Sequence, residues 1–148
     1  MRLSIKGDYG VRAMLDLAER LGQGPVQSES IARRQSISEA YLDQLLTLLR
    51  RAGLVRSVRG PRGGHELARP PAQITLTEML TALEGDFLPV GPGGPGSPDG
   101  TTDLPSVKVQ QEVWGRVREA AQSVLDGATL QTLLERQSEI TAPARYYI

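Results

Sequence analysis

The 148 residues can bury one respectable core with an added arm or helix, and two full domains would be crowded. Seventeen Lys and Arg balance 17 Asp and Glu, so net charge gives no sign of a nucleic-acid partner, while the absence of cysteine excludes disulfides and any thiolate-ligated zinc or iron-sulfur site made from this chain. No aliphatic run approaches the roughly 20 residues that cross a bilayer, and MRLSIKGDYG lacks the apolar stretch of a signal peptide, so a cytoplasmic protein is expected.

From Val11 onward, Val11, Met14, Leu15, Leu17, Ala18 and Leu21 recur at spacings of three and four, the pattern of one buried helical face, and predict a helix over residues 9–21 that ends at Gly22 and Gly24-Pro25. Ser28 is placed to cap a short second helix, SESIARRQ, with Ile31 and Ala32 inward. Ser38 caps a third over residues 39–52, whose inner stripe is Leu42, Leu45, Leu46 and Leu49, with Tyr41, Asp43, Gln44, Thr47, Arg50 and Arg51 on its other faces and Gly53 as its stop. Two short helices joined by a tight turn suggest a helix-turn-helix.

LVRSV then alternates like a strand, RGPRGG supplies turn chemistry, and residues 65–69 return as a second strand before Pro70-Pro71. The fold expected is mainly α with a small β-hairpin wing: a winged helix-turn-helix over residues 1–85. Thr75-Leu76-Thr77-Glu78 has the capping-box pattern and starts a fourth helix that ends near Gly85. Residues 86–105, with PVGPGGPG, read as a flexible Gly/Pro-rich linker. Val109, Val113, Val117, Ala120, Ala121 and Val124 form a stripe on a long helix over 106–125, a short helix follows over 129–136, and residues 138–148 read as a tail. A helix tethered by a linker must bury its stripe somewhere, and a two-fold partner is the economical place.

Charge is uneven along this plan. Residues 1–85 carry 12 basic and 9 acidic side chains and residues 86–148 carry 5 and 8, while residues 50–69 hold six Arg against Glu66 alone.

MRLSIKGDYGVRAMLDLA, ISEAYLDQLLTLLRRAGLVRSVRGPRGG and ITLTEMLTALEG, in that order, closely resemble the Rrf2 family of bacterial winged-helix regulators. The resemblance is dense over residues 1–85, and the helix from Ser106 looks like the family's dimerisation helix. It implies a DNA-binding transcriptional repressor acting as a homodimer. Many members hold an iron-sulfur cluster on three cysteines before that helix; here Gly, Pro and Asp stand there and the one histidine is His65 in the hairpin, so no cluster and no metal cofactor is expected. LEGDFLPV and the aromatic, isoleucine-ended tail resemble the family's cluster-free repressors of cysteine metabolism, which use O-acetylserine sulfhydrylase (cysteine synthase) as co-regulator.

On this plan Tyr41, Asp43 and Gln44 are the candidates for reading major-groove base edges, because Gln pairs with adenine and a carboxylate accepts from cytosine. An ordinary solvated face is the alternative, and Tyr41 can instead cover phosphate or sugar. Arg59 and Arg62, in a Gly-rich loop able to approach a backbone, are candidates for the minor groove, against a plain hairpin turn; a phosphate-loop reading lacks the Lys-Ser/Thr that should follow the glycines. Arg2, Lys6, Arg50, Arg51 and Arg56 are candidate phosphate contacts, against solubility or, for Arg50 and Arg51, the favourable position of cations at a helix C-terminus. Tyr146, Tyr147 and Ile148 offer aromatic area and an apolar end with a carboxylate, suited to a partner's pocket or to packing within the dimer. An enzyme is not expected: there is no cysteine, and His65 has no evident Ser or Asp partner. Two alternatives stay open: a cluster-free regulator of another stress or metabolic regulon, and a winged-helix protein-interaction module.

Overall fold

The computed structural model describes residues 1–88 and 104–143. Six helices and one hairpin follow in the order α1 (Ile5–Glu19), α2 (Ser28–Gln35), α3 (Glu39–Arg51), β1 (Val55–Val58), β2 (Gly64–Leu67), a 3-10 turn (Pro71–Gln73), α4 (Leu76–Glu84), α5 (Pro105–Gly127) and α6 (Leu130–Thr141). The strands pair antiparallel, Val55 opposite Leu67 and Val58 opposite Gly64. The winged helix expected from the sequence is present.

Helix α1 begins four residues before the predicted start, capped by Ser4, whose hydroxyl accepts from the Lys6 amide. The first turns escape an apolar-periodicity reading because their inner positions are Gly7 and Gly10. These are glycines because α4 crosses there: a Cβ on Gly10 would lie 2.3 Å from Leu83 Cδ1. Leu21, assigned to the inner face, is 55% exposed, because the helix ends at Glu19 and its period no longer places the residue inward. Ser28 lies within α2; the N-cap is Gln27, which makes no side-chain capping bond. Ser38 caps α3 as expected, accepting from the Tyr41 amide, and Thr75 with Glu78 forms the capping box of α4.

Met14, Leu17, Ile31, Leu42, Leu45, Leu49, Leu54, Ile74 and Met79 form the centre of the core. Leu130 of α6 belongs to it with no exposed surface, and Leu133 and Leu134 pack against it. The last helix is therefore docked onto the winged helix, and Ser138 to Thr141, assigned to the tail, complete it. Its entry is fixed by backbone bonds, Leu76 N to Ala128 O at 2.7 Å and Leu130 N to Ile74 O at 2.8 Å.

Both ends of the segment read as a linker, residues 86–105, take part in packing or helix formation instead. Phe87 and Leu88 are buried against Leu80 and Leu125, where an aromatic and an aliphatic side chain gain more by leaving water than the short segment loses by ordering. Pro105 is the first residue of α5, a position where its missing N–H costs nothing. Residues 89–103 lie outside the described residues.

Candidate nucleic-acid interface

Presentation of α3 depends on how α1 and α2 are locked together. Asp16, on the buried face of α1 with a side chain 0% exposed, accepts from Arg34 Nε at 2.9 Å and Arg34 Nη2 at 2.8 Å, and from Gln35 Nε2 at 3.1 Å. Arg20 adds a contact at 3.4 Å. Burial pushes the Asp16 carboxyl up, but the hydrogen bonds from Arg34 and Gln35 and the charges of Arg20 and Arg34 outweigh it and hold the group below the ordinary carboxylate range. The sequence reading missed this network. Its signal was an acidic residue between Ala13 and Leu17 on an otherwise apolar stripe, a position that demands a cation.

On α3, Asp43 and Gln44 are exposed. Tyr41 is half-buried, its ring edge-on to Tyr9 with centroids 6.0 Å apart, and Arg12 lies 4.9 Å from the centre of the Tyr9 ring. Tyr41 thus joins α3 to α1 with much of its ring already used. Lys6, Tyr41, Gln44 and Arg51 line one shallow hollow, which brings two base-reading candidates and two phosphate candidates from α1 and α3 to a single place.

The wing is tied to α3 by a polar chain. Arg50 Nη1 donates to Ser57 Oγ at 3.4 Å, and Ser57 Oγ lies 3.3 Å from His65 Nδ1. Burial pushes the His65 imidazole below its ordinary range; Asp43 acts the other way and Arg50 reinforces the depression, so the site favours the neutral ring. On the outer side, Val26 N donates to His65 O at 2.8 Å and His65 N to Val26 O at 2.7 Å, an isolated antiparallel bridge that the sequence reading did not contain. Gly64 permits this approach, since a Cβ there would lie 2.5 Å from Val26 O.

The remaining basic candidates separate by their surroundings. Arg56 pairs with Glu66 across the hairpin at 2.7 Å, which reduces its availability to phosphate. Arg59 and Arg62 are both exposed, and Arg62 also lines a cleft with Arg20 and Arg34 on the α2 side, so the two wing arginines differ in surroundings. Arg2 is exposed, with its amide bonded to Phe87 O at 3.2 Å.

Glu84 holds the segment that carries Arg2 and Lys6. Its carboxylate accepts from Ser4 N at 2.9 Å, Ser4 Oγ at 2.7 Å and Gly7 N at 2.8 Å. Its pKa falls below the ordinary range: the cost of burial is outweighed by these bonds and by Lys6. Replacing Glu84 with Ala should lower stability by about 1–2 kcal/mol, allowing for its partial exposure. Hydrogen exchange at the Gly7 amide checks the local effect, and retained protection there would contradict it.

Along α5, Val109, Val113, Val117, Ala120 and Val124 fall within an arc of about 80° at the standard helical rotation. All five are exposed, Val124 to 72% and Val109 to 62%. The helix meets its own domain through a different face, by Ala121 and Leu125, with Thr77 donating to Asp126 at 2.6 Å and Gln122 to Asp126 at 2.9 Å. Tyr146, Tyr147 and Ile148 lie outside the described residues.

Residues 3–136 match the model of a family described as Rrf2, iron-dependent transcriptional regulator. The HTH-type transcriptional regulator CymR of Bacillus subtilis (strain 168) is 41% identical over 133 residues, 90% of this chain and 89% of its own length. The chain belongs to the Rrf2 family. Its structure is similar to that of CymR, the global cysteine regulator of B. subtilis, with a TM-score of 0.77 and 38% identity over 92% of this chain and 98% of that one. It is similar as well to T. potens IscR, with a TM-score of 0.79 and 41% identity over 99% and 95%.

The protein is accordingly a transcriptional regulator of the Rrf2 type, and its relatives are regulators of transcription, not enzymes. The family description names iron, but a thiolate-ligated cluster does not fit a chain without cysteine. Among the described residues no three His, Asp or Glu side chains gather to hold a metal ion, and no helix is long and apolar enough to cross a membrane.

Proposed function

We propose that this Rrf2 protein is a homodimeric, sequence-specific DNA-binding repressor that works without a metal cofactor. The reading is carried by the link between a recognition helix with exposed Asp43 and Gln44 and a wing with an exposed Arg59, joined through Arg50, Ser57 and His65. Two copies present their α3 helices to successive major grooves about 34 Å apart. Gln44 and Asp43 read base edges, Arg59 enters the minor groove, and Lys6, Arg51 and Arg2 neutralise phosphate. The bound dimer blocks promoter access.

Gln44→Ala should cost about 1–3 kcal/mol at one base pair and relax specificity there. Arg59→Ala should weaken binding mainly at A·T-rich minor-groove positions. Mobility shifts over a panel of operator variants measure both, and affinity that stays insensitive to sequence and salt would leave a protein-interaction module in place of a DNA binder.

The regulon proposed is cysteine and sulfur metabolism, with O-acetylserine sulfhydrylase engaging Tyr146, Tyr147 and Ile148. Support comes from the similarity to CymR and from the absence of cluster-forming cysteines. The comparable similarity to IscR favours a second reading, a cluster-free regulator of another regulon. Genomic-site capture separates them: enrichment upstream of sulfur-assimilation genes supports the first, and enrichment elsewhere supports the second. Loss of synthase binding on deleting Ile148 tests the tail.

A further inference from the structure

Between the wing tip and α2 lies an open cleft of about 600 Å³, larger than the hollow beside α3 and composed differently. Its walls carry three guanidinium groups, from Arg20, Arg34 and Arg62, and no carboxylate. Asp16, whose side chain has no exposed surface, balances Arg34, and Arg20 is shared between Asp16 at 3.4 Å and Glu19 at 3.2 Å. Asp16 engages Arg34 through Nε and Nη2, leaving Nη1 without a partner among the described residues. Gln27, the N-cap of α2, and Ser30 of its first turn form another wall, at a helix start that receives no side-chain cap. The Ser30 amide is bonded to Gln27 O at 3.0 Å, and the positive end of the helix dipole strengthens the same sign of potential.

The shape of the wall is fixed. Gly63 is buried in the turn, where a Cβ would lie 2.1 Å from Val58 O, and the Val26–His65 pair anchors the wing's base to the loop below. A group bridging Arg62 to α2 would therefore span two elements whose mutual position sets where Arg59 lies.

We propose that this cleft is a binding site for a phosphate-type oxyanion, held between Arg62 of the wing and Arg34 with the first turn of α2. Tetrahedral oxyanions suit it because several donors converge from different directions and guanidinium groups bind such oxygens in pairs. The phosphate group can belong to a small free compound or to the DNA backbone, and a bound oxyanion holds the wing against α2 in either case.

The test titrates the full chain with inorganic pyrophosphate at constant ionic strength while following backbone amides by NMR. Saturable shifts at Gln27, Ser30 and Gly63 are expected. Arg62→Gln should weaken binding about tenfold or more, and Ser30→Asp, whose carboxylate is tolerated in a first helical turn, should abolish it. Shifts spread without saturation over Lys6, Arg51 and Arg59, or unchanged affinity in both variants, would overturn the proposal. Operator titrations identify the source of the phosphate. Competition by pyrophosphate beyond its ionic-strength effect, with a salt slope reduced by about one in Arg62→Gln, assigns the site to the DNA backbone. Simultaneous binding of operator and pyrophosphate, with an unchanged slope, assigns it to a free phosphate compound.

Discussion

Asp16→Ala should destabilise the protein by about 3–5 kcal/mol, the usual cost of removing one partner from a buried ion pair, and lower the melting midpoint by about 10 °C. The carboxylate takes four of its contacts from Arg34, Gln35 and Arg20. Without it, Arg34 loses its carboxylate partner, while Arg20 keeps Glu19 and α1 keeps the Arg12 bond to Gln35 O as a polar link to α2. Because α2 and its turn set the angle of α3, operator affinity should fall with stability. Asp16→Asn keeps the shape but not the charge, and should lie between the two. Denaturant unfolding measures the effect, and a loss below 1 kcal/mol for Ala would show that Arg34 re-solvates freely.

The same network predicts an acid limit. The Asp16 carboxyl is held below its unfolded value, so its contribution is fully present above about pH 5 and is lost as pH falls through the lowered folded value. Glu84 and Glu78 are lowered too and act in the same sense. Unfolding free energy should therefore fall steeply below about pH 4 in the wild type and less steeply in Asp16→Asn.

The double change Val113→Asp, Val117→Asp should produce a monomer and reduce operator affinity by on the order of 100-fold or more, the scale lost when two half-sites are no longer engaged together. Val113 is 49% exposed and Val117 43%, and neither faces the domain's own core. Carboxylates there leave the fold of one copy intact while opposing burial against a second. Sedimentation equilibrium and mobility shift give the two readouts, and amide protection in α1 and α3 reports on the core. A variant that remains dimeric would remove α5 as the pairing surface.

An apolar stripe with the Ser38 cap and Gly53 stop located α3, the Thr75–Glu78 capping box located α4, and the valine and alanine stripe located α5. Periodicity failed where the inward positions bear no apolar side chain. Gly7 and Gly10 hid the first turns of α1, and Leu21 lay beyond the last regular turn. Among the site residues, exposure of Asp43, Gln44 and Arg59 follows from their places outside the apolar stripe, whereas the surroundings of Tyr41, Arg56 and Arg62 depend on neighbours distant in sequence. Tyr9, Glu66 and the α2 side of the wing supply those neighbours, and no local pattern announces them.

The winged-helix order, the caps at Ser38 and Thr75, the basic bias around the wing and the absence of cysteine ligands were determined by sequence, since each depends on near neighbours or on composition. Tertiary structure decided the rest. It put Asp16 beneath Arg20 and Arg34, brought Glu84 to the start of α1, paired Val26 with His65 and returned α6 to the core through Leu130. Each of these joins residues far apart in the chain, where loop closure and burial, rather than local propensity, select the partner.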